Sequence, residues 1–154
     1  MKVIEMSLRE QLIGAWKLQS YVEIPVDDSE PFYPLGKNAT GIIMYTPDGY
    51  MSAQLMGEQR QHFGTGDWFN GSPEEYIEEA KTYIAYSGRF FVNEETQQLE
   101  HEMMVSLFPN WIGQQQQRIV SLDGDTLKLG PASPIMSKGK LVMSQLIWTR
   151  AQKN

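Results

Sequence analysis

The sequence contains no cysteine. Disulfides, thiolate nucleophiles and cysteine-type zinc sites are therefore excluded, and a reducing compartment suits the chain. No apolar run approaches the roughly 20 residues that a membrane-spanning helix requires. Glu5 and Arg9 stand where a secretory leader would begin its apolar core, so no leader is expected. Basic residues are few: 13 Lys and Arg against 19 Asp and Glu give a formal charge of −6. Most of such a surface repels a phosphate backbone, and no aromatic–basic RRM signature occurs, so no nucleic-acid partner is expected. The two histidines, His62 and His101, have neither His-x-x-x-His nor HExxH spacing, which leaves no metal site. A nucleophile elbow, a phosphate-binding loop and a dinucleotide fingerprint are missing too, so no cofactor is expected. The expectation is a cytoplasmic protein without membrane or nucleic-acid partner.

What is present is a globular composition. Hydrophobic residues make up 41% of the chain and charged residues 21%, which excludes intrinsic disorder. With 154 residues, one domain spanning 1–154 with a complete core is expected. The dominant pattern is alternation with a period of two, broken by turn residues. It predicts strands near 13–24, 41–46, 50–56, 85–92, 98–107, 115–122, 126–130 and 140–150. In the first, Trp16, Leu18, Val22 and Ile24 share one side, and Lys17, Gln19 and Glu23 the other. Pro47-Asp48-Gly49 makes a hairpin that sets Tyr45 opposite Met51 and Ile43 opposite Ala53. Ser7 and Glu10 form a capping box for a short N-terminal helix. A second helix is expected over about 72–84, capped by Ser72 with Pro73 at its first position. Its apolar stripe is Tyr76, Ile77, Ala80, Tyr83 and Ile84, while Glu74, Glu75, Glu78 and Glu79 form a solvated face. Eight strands with short meander connections predict an all-β, antiparallel up-and-down barrel with one inserted helix. A β-sandwich is the alternative, though its crossovers need longer connections.

Gly14-Ala15-Trp16 opens the first strand and resembles the Gly-x-Trp signature of lipocalins. Arg150, near the end of the last strand, resembles the basic residue that packs over that tryptophan and closes the bottom of the barrel. The segments 39–56, 72–92 and 101–125 closely resemble the lipocalin-like domain proteins of bacteria and fungi, small stand-alone barrels of about this length. The resemblance spans nearly the whole chain. It implies a calycin barrel with an apolar cavity, in a family whose relatives include binding proteins, isomerases and cyclases of natural-product pathways. Fold does not fix function, so the site is argued from residues.

If Leu107 faces Gln114, Met103 faces Arg118 and His101 faces Val120. Opposed residues share a face, so His101, Met103, Val105 and Leu107 lie with Arg118, Val120 and Leu122 on the apolar, inner side. The Asn93 turn brings Phe90 near His101 and Gly88 near Met103, with Tyr86 on the same face. A buried arginine is costly without a partner. In one reading Arg118 binds a ligand oxygen and His101 exchanges a proton beside it. In the other, Arg118 sits near the rim or pairs with an inner Tyr or Gln, and His101 is a satisfied core histidine.

Tyr45, Met51, Tyr86, Phe90 and Met103 are candidates to enclose an apolar ligand, and equally to fill a core. The long loop 57–71 is a candidate lid carrying Phe63, Trp68 and Phe69, with His62 read as solvated. Phe108-Pro109-Asn110-Trp111 either covers a barrel mouth or caps the core. Trp16 and Arg150 are read as a structural closure. The expected function is binding of a small apolar or amphipathic molecule with an oxygen function. The competing readings are a cofactor-free isomerase or cyclase, with His101 as acid–base and Arg118 stabilising developing charge, and a fully packed interaction module. A monomer and a homodimer are both compatible with the sequence.

Overall fold

The computed structural model describes residues 5–154; residues 1–4, at the start of the segment read for a leader, lie outside the described residues. Helix α1 (Leu8–Leu12) is capped by Ser7, whose side chain and Glu10 exchange the two capping-box hydrogen bonds. Strand β1 (Gly14–Pro25) follows, then β2 (Thr40–Tyr45), β3 (Tyr50–Met56), helix α2 (Pro73–Lys81), β4 (Tyr83–Asn93) and β5 (Gln98–Ser106). The chain continues through β6 (Gln115–Asp123), β7 (Thr126–Pro131), β8 (Ile135–Ser137) and β9 (Lys140–Arg150). Each strand pairs with its sequence neighbour up to β7, which pairs with β9, and β9 pairs with β1. Eight antiparallel strands thus close into a barrel, which leaves no long free edge. The ninth, β8, is a three-residue addition paired with the start of β9 through a turn at Lys138 and Gly139, both at positive φ. It is too short to show an alternating pattern.

The expected hairpin pairs are present: Tyr45 faces Met51, and Ile43 faces Ala53. So are Phe90 with His101 and Gly88 with Met103. Helix α2 departs from expectation. It ends at Lys81 with Thr82 as C-cap, so Tyr83 and Ile84 begin β4 instead of extending an apolar stripe. None of its residues is buried, and Ile77 is exposed. The helix clamps the preceding loop: Gly71 N–H donates to the Tyr76 hydroxyl, which donates to the Trp68 carbonyl. Glu75, read as part of a solvated face, accepts from the Gly64 and Ser72 amides, and these bonds hold its carboxyl below the usual range.

Two bulges change which residues face inward. In β1 the pairing with β9 slips between Leu18 and Ser20. Trp16 and Leu18 are buried before the slip, but Tyr21, Glu23 and Pro25 are buried after it, so Val22 and Ile24 turn outward and Glu23 turns in. In β5 the partners of Ser87 and Gly88 are Val105 and Met103, leaving Met104 as the extra residue. Val105 and Leu107, expected inside, are therefore exposed, and Ser106 takes the inner side. Gly88 makes this approach possible: a Cβ there would lie 1.8 Å from the Glu102 carbonyl oxygen.

The barrel has a packed half and a hollow half. β1 starts and β9 ends at the packed end, where α1 docks with Leu8 and Leu12 buried. Its Leu8 and Arg9 amides donate to Glu94 in the β4–β5 turn. Trp16 is fully buried at this end and faces Arg150, whose guanidinium lies 4.1 Å from the indole centroid. That guanidinium also donates to the carbonyls of Ile13 (3.1 Å) and Gln11 (2.6 Å), and the indole N–H donates to Leu12 (3.0 Å). Gly14 sits at φ +121°, where an added Cβ would press on Arg150 at 3.3 Å.

Candidate functional site

The hollow half holds a cavity of about 570 Å³. Its walls come from β1–β4, β6, β7 and β9, with Ile43, Leu55, Leu129 and Leu146 among the apolar members. Its rim is built by Phe108, Trp111 and Gln114 from the β5–β6 connection, and by Ala132 and Ser133 with Ile135 and Met136 of β8 from the segment between β7 and β9. Phe108 and Trp111 pack edge to face with centroids 5.4 Å apart, and Trp111 packs likewise on Tyr86 at 5.8 Å. The 108–111 segment thus forms part of the mouth. This volume and mixed lining suit a small organic molecule.

The polar groups of the cavity lie on two walls. Along β6 and the residue before it, alternation puts Gln114, Gln116 and Arg118 in one row: Gln116 donates to Gln114 (2.9 Å) and Arg118 donates to Gln116. Arg118 faces Leu99 across the ladder, not Met103, and His101 faces Gln116, not Val120. The 107–114 connection takes up four more residues than a direct Leu107–Gln114 pairing allows; an even slip keeps the inner face but changes the level. Arg118 also donates to the Gln117 carbonyl at 3.4 Å and pairs with no carboxylate among the described residues, which leaves other guanidinium N–H groups of this cavity-lining residue without a partner. The opposite group, on β1 and β9, was not expected. Glu23 faces Ser144 directly and is 1% exposed, and Tyr21 stands two residues earlier on the same side. The Tyr21 hydroxyl donates to Glu23 Oε1 at 2.5 Å and the Ser144 hydroxyl to Oε2 at 2.5 Å. Burial, with Glu23 beside it, pushes the Tyr21 phenol well above its ordinary range, so it stays protonated. Both hydroxyl-bearing residues line the cavity, with Glu23 behind them. The clue in the sequence was Gln19-Ser20, two polar residues in succession that break the alternation.

Of the residues singled out from the sequence, Arg118 and Tyr86 line the cavity. Tyr45, Met51, Phe90, His101 and Met103 come together beneath it, each 3% exposed or less, in the packed half. There Tyr45 meets Phe90 edge to face at 4.9 Å and its hydroxyl bonds His101 Nε2 at 2.8 Å. His101 Nδ1 is buried without a partner, as is the indole nitrogen of Trp148, a cavity-wall residue. Phe63 packs on Tyr76, and Trp68 and Phe69 stack on each other in solvent at 71% and 90% exposure. None of these three borders the cavity.

Burial, aided by the Arg118 charge, holds the His101 pKa well below its ordinary value of 6.5. The folded chain therefore keeps His101 neutral where the unfolded chain protonates it. The unfolded state binds more protons in that window, so stability falls as pH drops below about 6.5 and is unaffected by this group above it. The expected slope in urea unfolding approaches 1.4 kcal/mol per pH unit between pH 6 and 5. His101→Gln should flatten it. The lowered carboxyls Asp27, Glu75 and Glu102 contribute stability that is lost only as pH falls through the range below about 4.5, outside this window. An unchanged slope in His101→Gln would show that the buried imidazole is not its source.

Comparison with known proteins agrees with this architecture. A 4'-hydroxy-3'-methoxypropiophenone carrier protein of Aspergillus oryzae is 35% identical over 106 residues, covering 65% of this chain and 96% of that protein. The family model described as a lipocalin-like domain matches residues 13–151, from the turn before β1 to the residue after β9. With its closed barrel and Gly14-Ala15-Trp16 opening, the chain belongs to the lipocalin-like domain family.

Proposed function

We propose that this protein is a carrier, holding a small, largely apolar molecule with an oxygen function in the hollow half of the barrel. The observation that carries the reading is the 570 Å³ cavity, apolar over most of its wall and furnished with the uncompensated Arg118. A guanidinium with free donors in a sheltered, apolar site suits a carbonyl or other acceptor oxygen. Tyr86, Trp111 and Leu146 would enclose the apolar body. The similarity to a fungal carrier of an aryl ketone favours an aromatic ketone as the ligand class. The carrier reading is preferred to an isomerase or cyclase because His101, the candidate acid–base, lies below the cavity floor with Nε2 engaged by Tyr45. Absence of cysteine suits a cytoplasmic setting.

Native and denaturing mass spectra of freshly purified protein test this reading. The expected result is a discrete extra mass seen only under native conditions and missing from Leu146→Trp, which fills the cavity. A bare chain that also fails to bind 4'-hydroxypropiophenone at millimolar concentration would overturn it. The same spectra report whether the protein is a monomer or a homodimer.

A further inference from the structure

The buried carboxylate on the β1–β9 wall accepts one hydroxyl from its own strand and one from across the seam that closes the barrel. No Lys or Arg pairs with Glu23 among the described residues, and it is 1% exposed. Taking a carboxylate out of water costs several kcal/mol, and a wall built for packing alone has no need of one. What Glu23 does is fix the direction of two hydroxyl groups. A carboxylate only accepts hydrogen bonds, so Tyr21 and Ser144 must each spend their single hydrogen on it. Their remaining hydrogen-bonding capacity is lone pairs, on residues that line the cavity. This wall therefore presents acceptors, while Arg118 and Gln116 on β6 present a guanidinium and an amide. Strand β7 separates β6 from β9, so the two groups lie on different walls of one cavity. The cavity is polarised.

We infer that Glu23, Tyr21 and Ser144 form a hydroxyl-recognition site, selecting ligands that carry a hydrogen-bond donor, such as a phenol, at one end and an acceptor oxygen at the other. This deepens the carrier reading and rests on it. A ligand hydroxyl placed here donates to Tyr21 or Ser144, and the charge behind them strengthens the bond through the chain of donors. Arg118 already supplies the cavity with positive charge, so a neutral donor fits better than an ammonium group. A ligand turned end for end, or with its hydroxyl capped, would set acceptor against acceptor and leave buried lone pairs unpaired, the usual source of rejection.

The test compares two probes that differ only by a methyl group in place of the hydroxyl hydrogen: 4'-hydroxypropiophenone and its methyl ether, 4'-methoxypropiophenone, titrated against the full chain by calorimetry. Wild type is expected to bind the phenol about tenfold more tightly, the worth of one well-placed hydrogen bond. Tyr21→Phe and Ser144→Ala should each weaken phenol binding several-fold while leaving the ether within about twofold. Glu23→Gln is the sharpest variant. Its amide must give a hydrogen to one of the two hydroxyls, releasing that hydroxyl's own hydrogen toward the cavity, so the preference should fall to parity or invert. Damage to the fold alone would not move selectivity in that direction. Equal binding of the two probes by wild type, which needs no variant, would overturn the inference while leaving the carrier reading standing. Equal losses for both probes in Tyr21→Phe and Ser144→Ala would overturn it as well. Binding of neither probe would overturn the inference, and together with a bare chain in the native mass spectrum it would overturn the carrier reading too.

Discussion

Gly88→Ala is expected to destabilise the barrel by about 3–4 kcal/mol and to abolish small-molecule binding in the fraction that still folds. A Cβ at this position would sit 1.8 Å from the Glu102 carbonyl oxygen and 2.9 Å from the Met104 amide nitrogen. Both are backbone atoms, so no side chain can swing aside to make room. The β4–β5 ladder must open by more than an ångström, and overpacking of this kind costs about 1–3 kcal/mol even where side chains share the adjustment. The same bulge turns Ser106 inward and keeps Tyr86, its partner, on the cavity wall. Relaxing it would shift Tyr86 and the Trp111 ring packed on it. Urea unfolding measures the loss, and Gly64→Ala, where an added Cβ meets nothing within 4 Å, is the matched control at about ±0.5 kcal/mol. A Gly88→Ala protein as stable as that control would mean the bulge can migrate along β5 at little cost.

The bulges also mark the limit of what alternation reveals. Pro47-Asp48-Gly49 dictates a register, and Tyr45–Met51 and Ile43–Ala53 followed from it. The Asn93 turn did the same for Phe90 and His101. Each of these pairs lies close to a short turn, where loop length leaves one alignment. Beyond a bulge the period of two continues with inverted phase. Glu23 then reads as an outward charge and Val105 as an inward apolar residue, and both are reversed in the fold. Gly88 inside a strand was the local sign of the second bulge; the first left only the Gln19-Ser20 break. The site shows a second limit. Alternation assigns a residue to the inner face of a barrel but not to a height along its axis. His101, Phe90 and Met51 share that face with Arg118 and Tyr86, yet they lie in the packed half and the latter two in the hollow one. Height depends on stagger between strands, which the four-residue slip across the 107–114 connection altered.

Trp16→Ala should cost about 4 kcal/mol, and it separates closing the barrel from binding within it. The indole is fully buried, and truncating a buried Trp or Phe costs about 3–5 kcal/mol. Its face lies under the Arg150 guanidinium at 4.1 Å, and its N–H satisfies the Leu12 carbonyl at the end of α1. Removing it withdraws both interactions and leaves α1 docked through Leu8 and Leu12 over a void. At about 2–4 °C per kcal/mol for a chain of this size, the melting temperature should fall by roughly 8–16 °C. Arg150→Met tests the cation separately: it keeps an apolar contact on the indole but strands the Gln11 and Ile13 carbonyls, for a loss of about 2 kcal/mol. Neither residue borders the cavity. Calorimetric titration of either variant below its transition should therefore return the wild-type affinity for 4'-hydroxypropiophenone, while Arg118→Ala should lose binding with little change in melting temperature. A weakened affinity in Trp16→Ala at a temperature where it is folded would show that the packed half transmits strain to the hollow one. In that case Tyr45 and His101, which lie in the packed half beneath the cavity, would become part of the binding apparatus.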